Sequence, residues 1–184
     1  MHPTGAELQG LHLPAAVCAL ICTNLARATS FDAAMAVIDC VRQLMLGDGL
    51  LTLNLVAASQ PGSAEGFDLQ RLWSSNTQAY PVAGCKHKPL TAWSRQLLLR
   101  GEFFAAQGDA EMAGVFDDHA RIAALGLHAI VNVPIYRDGC CIATLNVLGS
   151  RPKWQSHDIM LARLLAVFAT PWVLARRVDH RPPA

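Results

Sequence analysis

Hydrophobic residues recur at helical spacing in two stretches near the beginning of the chain and in one long stretch near its end. The first two stretches predict helices over residues 14–28 and 31–46, the second with Ser30 as its N-cap. The last stretch predicts a helix over residues 157–177, which we expect Pro171 to kink or to shorten. Helices are therefore expected at both ends of the chain.

Between these helices, apolar residues alternate with polar ones or form short runs, a pattern that predicts β-strands. The strands are expected at residues 50–57, 69–75, 80–83, 127–136 and 140–148, the last two joined by a turn at residues 137–139. Shorter helices are expected at residues 90–99, 109–116 and 119–125. Antiparallel strands with helices inserted between them, followed by a final helix, indicate an α+β fold rather than a doubly wound sheet.

The hairpin at residues 127–148 has two unlike faces, because neighbouring side chains on a strand point to opposite sides. One face is predicted to be wholly apolar and is formed by Leu127, Ala129, Val131, Val133, Ile135, Cys141, Ala143, Leu145 and Val147. The other face carries Asn132, Thr144 and Asn146 among aliphatic residues such as Ile142. Amides on an apolar face cost free energy unless they are bonded or meet solvent or a ligand. We therefore expect this face to bound a pocket, with bonding to neighbouring backbone or partial exposure to water as the alternatives.

The same hairpin resembles the closing hairpin of GAF domains. Its sequence reads LHAIVNVPI, then Asp138-Gly139, then IATLNV. The family's signature is an apolar strand ending in proline and an aliphatic residue, a turn with glycine, and a strand of the Ile-Gly-Val-Leu type. Two helices before the sheet and a long helix after it also fit, so the resemblance covers nearly the whole chain. Ala143 stands where the family usually has glycine.

The resemblance implies a GAF-like (profilin-like) antiparallel sheet, with the N- and C-terminal helices on one face and a ligand pocket on the other. One such domain would span residues 13–178, with a flexible N-terminus at residues 1–12 and a C-terminal tail at residues 179–184. It implies a stand-alone, non-catalytic sensor of the kind found in bacterial signal transduction, which binds a small molecule. Neither a cofactor nor the ligand can be named from the sequence.

The pocket implied by this arrangement would be walled by the polar hairpin residues and roofed by the middle of the chain. Its expected ligand-binding residues are Trp73, Trp93, Phe104, Phe116, His119, Asn132, Thr144 and Asn146. Aromatic residues in the roof can stack on a planar ligand, but they also serve to pack a roof onto a sheet. Both interpretations of the aromatic residues stay open at this point.

Composition narrows the choice of function and location. With 52% hydrophobic and 16% charged residues, the 184-residue chain is not a disordered protein. A net charge of +1 lacks the basic footprint of a nucleic-acid binder. No apolar run reaches the ~20 residues that cross a bilayer, so we expect no membrane segment. The six cysteines are not placed like a disulfide framework, and a reducing cytoplasm is therefore expected. The excess apolar residues of the terminal helices predict a homodimer that forms through them.

Cys85 is the one candidate for catalysis, because Lys86, His87 and Lys88 surround it and positive charge activates a thiol. This alternative function is a GAF-fold thiol enzyme similar to free methionine-(R)-sulfoxide reductase. The Gly-Val-Cys-Gly and His-Ile-Ala-Cys-Asp segments of that enzyme are missing from the chain. Cys85 and His87 lack neighbours with zinc-like spacing, so no metal site is expected. A third possibility is a structural dimerisation module with an empty pocket.

Overall fold

The computed structural model describes residues 12–58 and 65–178. Apart from residue 12, the flexible ends predicted at residues 1–12 and 179–184 lie outside the described residues. The helices are α1 (Ala15–Arg27), α2 (Phe31–Leu46), α3 (Ala92–Ser94), α4 (Gly108–Val115), α5 (His119–Ala124) and α6 (Ser156–Val178), and a π-helical turn (Arg95–Leu99) continues α3. The strands are β1 (Gly49–Ala58), β2 (Gly66–Ser74), β3 (Cys85–Pro89), β4 (Phe104–Gln107), β5 (Ala129–Arg137) and β6 (Cys140–Gly149).

The six strands form one sheet in the order β3-β2-β1-β6-β5-β4, and every neighbouring pair is antiparallel. The chain thus forms an α+β fold with helices before, within and after the sheet, as the sequence pattern predicts. The centre of the sheet is the pair β1 and β6, which joins the first half of the chain to the last hairpin.

Local sequence signals fix several of these boundaries. Ser30 caps α2, its hydroxyl accepting a hydrogen bond from the backbone N–H of Ala33 at 3.1 Å. Gly47 ends the same helix with a φ of 78°. The turn between β5 and β6 consists of Asp138 and Gly139, with φ values of 51° and 78°. Two positive φ angles in a two-residue turn match the twist of a hairpin, which explains why an Asp-Gly pair stands there.

The terminal helices α1, α2 and α6 pack on one face of the sheet. The fully buried residues of that face are Leu51, Leu53, Ala129, Val131, Ala143, Leu145 and Val147. They form one hydrophobic cluster with Val17 and Ile21 of α1, Ile38 of α2 and Leu165 of α6. This arrangement agrees with the predicted helical layer, and the small Ala129 and Ala143 allow the helices to approach closely.

Helix α6 does not end at Pro171 but continues to Val178. Its stretch Ser156–Arg176 has a mean hydropathy of 1.6 and is long and apolar enough, by length and composition, to cross a membrane. The core helix of a globular protein passes the same test. The stripe formed by Leu161, Leu165 and Val173 is buried within the helical layer, which accounts for much of this apolar character.

A smaller layer covers the other face of the sheet. Its hydrophobic cluster is formed by Leu50, Val56, Leu69, Tyr80, Trp93, Leu97, Leu98, Ala106, Met112, Phe116, Ile122, Leu127, Ile130 and Leu148. Most of these residues come from α3, α4, α5, the π-helical turn and the sheet itself, and Tyr80, Phe116 and Leu127 come from the segments between these elements. Leu127 was predicted on the opposite, helical face, but it precedes β5 and packs in this smaller cluster instead.

A β-bulge in β6 changes the side that two predicted residues occupy. Ile135 pairs with Ala143 and Tyr136 pairs with Cys141, so that Ile142 is the extra residue. Ile142 therefore joins the helical cluster, and Cys141 packs against the smaller one. The prediction for both residues was wrong, because a bulge shifts a strict two-residue alternation by one.

The strand predicted at residues 80–83 is also wrong. That segment is a turn in which Ala83 has a φ of 69°, and the third strand is β3, which follows it. Cys85 is the first residue of β3. This strand lies at the edge of the sheet, where charged side chains such as Lys86 are tolerated, and it therefore lacks the apolar alternation of an internal strand.

Candidate functional site

A cleft of about 350 Å³ lies between the sheet and the smaller layer. Its floor is formed by the face of the sheet that carries the hairpin amides, with Leu50, Thr52, Asn54, Leu69, Arg71, Ile130, Asn132, Asn146 and Leu148. Trp93, Phe116 and Ile122 cover it, and Tyr80, Gly84, Cys85, Lys86, Lys88, Asp118 and Arg121 complete the lining. Gly84, Cys85, Lys86 and Arg121 are exposed, so the mouth of the cleft lies between β3 and α5.

Four polar side chains form a hydrogen-bonded row that begins at Trp93 in the cover and continues along the floor. The indole Nε1–H of Trp93 donates to Asn132 Oδ1 at 2.9 Å, and Asn132 Nδ2 donates to Asn146 Oδ1 at 2.7 Å. Asn146 Nδ2 then donates to Thr52 Oγ1 at 3.1 Å. All four residues are buried. The amides are thus bonded to side chains rather than to backbone, and they are held in fixed orientations at the floor of the cleft.

The local structure before the π-helical turn explains the position of Trp93. Thr91 and Ser94 form a capping box, in which each side-chain oxygen accepts a hydrogen bond from the other residue's backbone N–H. The box fixes the first turn of α3. Trp93 is held within that turn, and its ring lies over the floor with its N–H directed at Asn132.

The structure does not bring every predicted site residue to the cleft. Trp93, Phe116, Asn132 and Asn146 line it. Thr144 lies on the same face of β6 and is 1% exposed, but it is not part of the lining, and its hydroxyl has no hydrogen-bond partner among the described residues.

The remaining predicted aromatic residues and His119 also lie outside the lining. Phe104 packs behind Phe116, with ring centroids 6.2 Å apart in an edge-on geometry. His119 is exposed, and its Nδ1 lies 3.1 Å from the backbone oxygen of Phe116. Phe104 thus packs the roof, and His119 lies at the outer side of α5.

Trp73 lies on the helical face of the sheet, opposite the cleft, because β2, like β6, carries a bulge. Leu53 pairs with Trp73 and Asn54 pairs with Arg71, which leaves Leu72 as the extra residue. Trp73 and Leu72 therefore both pack against the helical cluster. Arg71, which a regular strand would place beside Trp73, lines the cleft instead.

Charged side chains surround the mouth of the cleft. Four of the lining residues are cationic (Arg71, Lys86, Lys88 and Arg121), and one is acidic (Asp118). Lys86 Nζ lies 3.6 Å from Asp118 Oδ1, and Lys88 Nζ lies 3.2 Å from Asp117 Oδ2 outside the lining. The pKa of Asp117 is lowered mainly by the hydrogen bond from Lys88 and then by the charges of Lys88 and Lys86.

Arg71 and Tyr80 form a stacked pair at one end of the cleft. The Arg71 guanidinium carbon lies 4.8 Å from the centre of the Tyr80 ring, and Nη1 donates to the backbone oxygen of Pro81 at 3.3 Å. Burial, followed by the nearby Asp118 carboxylate, raises the pKa of Tyr80 to about 12. Asp118 acts on Tyr80 through its charge and, more weakly, as a hydrogen-bond acceptor, although the two side chains lie outside good hydrogen-bonding geometry. Burial also lowers the pKa of Arg71.

Sequence reasoning missed most of these charged residues. A regular alternation along β2 would place Arg71 on the side of Trp73, and no pattern in the sequence places Asp118 at the cleft. The signal that pointed here was the group of cations around Cys85, which was weighed only as a means of activating the thiol. Because bulges and turns bring the other residues together, no spacing in the sequence indicates that they meet.

Thiol and metal chemistry have little support in this geometry. Cys85 is exposed at the mouth and is the one cysteine among the described residues that line the cleft. Within residues 12–58 and 65–178, no three His, Cys, Asp or Glu side chains come together as a possible metal site. The lining offers apolar contact, amide hydrogen bonds and positive charge to a bound molecule.

Comparison with known proteins identifies the family. The sequence profile of the GAF domain matches residues 14–170, and the chain therefore belongs to the GAF domain family. No curated protein sequence matches the chain.

Solved structures resemble the chain in fold. The GAF domain of a two-component sensor histidine kinase from Bacillus halodurans has a TM-score of 0.65 at 13% identity, and the match covers 84% of this chain and all of that one. Free methionine-R-sulfoxide reductase from Neisseria meningitidis has a TM-score of 0.58 at 18% identity, with 92% and 98% covered. A phycoerythrobilin-bound GAF domain from a cyanobacterial phytochrome has a TM-score of 0.59 at 14% identity, with 93% and 100% covered. At these identities the likeness concerns the fold alone.

Proposed function

We propose that this GAF domain is a non-catalytic sensor that binds a small molecule in the cleft between the sheet and α5. The observation that carries the proposal is the row from Trp93 to Thr52, which lies on the floor of a cleft with apolar walls. Ligand sites typically combine such walls with a few fixed polar groups. The sensory setting is supported by the family and by the histidine kinase domain of similar fold.

Native mass spectrometry of the freshly purified protein tests the proposal. We expect a retained small molecule or, after a ligand screen, a defined one-to-one complex. Gly84→Trp is designed to block the mouth, since an added Cβ at Gly84 meets only the Pro81 oxygen, 3.8 Å away. This variant should fold and lose the bound mass.

Gly114→Trp is the matched control, because a Cβ at Gly114 on α4 has nothing within 4 Å and the residue lies outside the lining. It should retain the bound mass. A protein that carries no ligand and binds none in the screen would instead support the structural module with an empty cleft.

We also propose that the domain is a cytoplasmic homodimer, without a membrane or nucleic-acid partner, that forms through its terminal helices. In support, α1 buries only Val17 and Ile21 of its 13 residues, and Val167 of α6 is 63% exposed. Light scattering after size-exclusion chromatography should give twice the chain mass. Val167→Glu should give a monomer, whereas Leu125→Glu, an exposed apolar position on the opposite layer, should not. A monomeric parent protein at micromolar concentration rules the dimer out.

The alternative of a thiol enzyme rests on Cys85 and on the fold shared with the sulfoxide reductase. The other five cysteines lie on α1, on α2 or at the start of β6, and none of them lines the cleft. A dithiol reductase needs a second thiol that reaches the first, so the cleft favours binding over catalysis. Turnover of free methionine sulfoxide that is lost in Cys85→Ser would reverse this conclusion.

A further inference from the structure

Two arginine side chains from different elements reach the same cleft. Arg71 belongs to β2 and Arg121 to α5, and both line the cavity. Burial is the main cause that lowers the pKa of Arg71, and the positive charge of Arg121 acts in the same direction. Two like charges in a partly desolvated cleft repel each other, and this costs free energy unless an anion lies near both.

The acidic residues around the cleft are shared with other cations. Asp118 is the one carboxylate among the described lining residues, and it also faces Lys86 at 3.6 Å. Asp117 is paired with Lys88. Arg121 makes no ion pair within the part of the chain that the structure describes. Asp118, whose charge also acts on Arg71, is a single carboxylate against four cations in the lining, so the cleft keeps an excess of positive charge.

Unused hydrogen-bonding capacity lies at the same end. Arg71 Nε is shielded from solvent and has no hydrogen-bond partner among the described residues, and the shielded Tyr80 hydroxyl has Asp118 as a weak partner outside good hydrogen-bonding geometry. The whole Tyr80 residue is only 6% exposed. Buried polar atoms are almost always bonded in folded proteins, so unpartnered ones beside a cavity mark a place where a bound group completes the bonding.

We infer that the ligand carries an oxyanion, a carboxylate or a phosphate, which pairs with the guanidinium groups of Arg71 and Arg121. Its apolar part lies on Leu50, Ile130 and Leu148 at the floor of the cleft. The inference rests on the proposed binding function and adds the chemical class of the ligand. Arginine suits this role because its planar group donates two parallel hydrogen bonds to a carboxylate or phosphate.

A matched set of probes tests the charge alone. Naphthalene-2-carboxylate and naphthalene-2-carboxamide have nearly the same shape, and 2-naphthyl phosphate carries the other oxyanion. Titration calorimetry gives the affinities, and the NMR signal of the Trp93 indole N–H, one of four tryptophans and assigned with Trp93→Phe, reports entry into the cleft. We expect one of the two anions to shift this signal and to bind at least about tenfold more tightly than the carboxamide.

Three variants locate the effect. Arg71→Met and Arg121→Met keep an apolar stem but remove the charge, and each should abolish most of the preference for the anion. Arg95→Met is the matched control, because Arg95 is exposed and lies outside the lining, and it should leave the preference intact. Thermal melting shows that each variant is folded before its affinity is compared.

Equal binding of anions and carboxamide overturns the inference and leaves the proposed binding function standing. A preference that survives in folded Arg71→Met and Arg121→Met, or the absence of any shift at Trp93, also overturns it. The proposed function fails separately, when native mass spectrometry and the ligand screen find no complex of any charge.

Discussion

At the scale of single residues, Arg71 and Tyr80 show how a folded chain holds polar atoms away from solvent at one end of a cleft. The ring of Tyr80 supports the guanidinium by stacking, and a backbone oxygen accepts one of its N–H groups. These contacts orient Arg71 without neutralising its charge. The pair is thus prepared for an anion rather than satisfied within the protein.

Tyr80 should titrate about two pH units above an ordinary tyrosine. Burial raises its pKa from 10.0 to about 12, so the folded protein holds the phenol proton more tightly than the unfolded chain. The resulting stabilisation is complete below pH 10 and is lost as the pH rises from 10 through about 12. Tyrosinate absorbance of Tyr136→Phe, in which Tyr80 is the remaining tyrosine, measures the titration.

The unfolding free energy of Tyr136→Phe in urea should fall over the same pH range. The pKa of Tyr136 is also raised, mainly by burial and then by Cys141 and Cys140. Tyr80→Phe therefore serves as the control, because it shows how much pH dependence remains when Tyr80 is absent. If Tyr80 in the folded protein ionises at the ordinary tyrosine pKa, the prediction that burial raises its pKa is wrong.

Trp93→Phe should be more destabilising than Trp154→Phe by about 1 kcal/mol. Both residues are similarly buried, and both substitutions replace an indole by a smaller ring. Trp93 Nε1–H donates to Asn132, whereas Trp154 Nε1 has no partner among the described residues. The difference in unfolding free energy from urea melts therefore isolates the hydrogen bond. Equal losses indicate that the row on the floor adds nothing to stability.

At the scale of elements, the sequence predicts the helices, the final hairpin and its turn well, because capping residues, Asp138-Gly139 and apolar spacing are local signals. It does not predict the bulges in β2 and β6, where one extra residue moves Trp73 and Cys141 to the other side of the sheet. It also misses β3, whose charged residues reflect an edge position that only the tertiary fold defines. The half of the site that lies on regular strands could therefore be predicted, and the charged half could not.

Helix α2 contains a buried ion pair that should be costly to break. Arg42 is 2% exposed, and its Nε donates to Asp39 at 2.7 Å while Nη1 donates to the backbone oxygen of Gly47 at 2.9 Å. Arg42→Met leaves the Asp39 carboxylate buried with Gln43 as its remaining side-chain partner. We expect a loss of about 3–5 kcal/mol in urea unfolding.

The double variant Arg42→Met/Asp39→Ala should recover part of that loss, because it removes the stranded charge as well. A loss below about 1 kcal/mol for Arg42→Met alone is incompatible with this account, because exposed ion pairs contribute that little to the free energy of unfolding.

At the scale of the whole molecule, a net charge of +1 conceals an uneven distribution. Four cations and one carboxylate line a single cleft, so this end is strongly positive while the rest of the chain carries a slight negative excess. The small net charge predicts that the chain is not a general nucleic-acid binder. The net charge of the whole chain does not reveal a positive electrostatic potential that is confined to one cavity.

This uneven charge predicts that salt weakens the binding of anions to the cleft but not of neutral ligands. The mouth is exposed at Lys86 and Arg121, so ions reach it, and the screening length falls from about 10 Å at 0.1 M salt to about 3 Å at 1 M. Arg71 is partly shielded, and its pairing with an anion should be screened less. We therefore expect the Kd of the preferred anionic probe to rise by about threefold to tenfold between these salt concentrations, measured by calorimetry. The Kd of naphthalene-2-carboxamide should stay constant, and a parallel rise for both probes means that salt acts on the cleft by some route other than its charge.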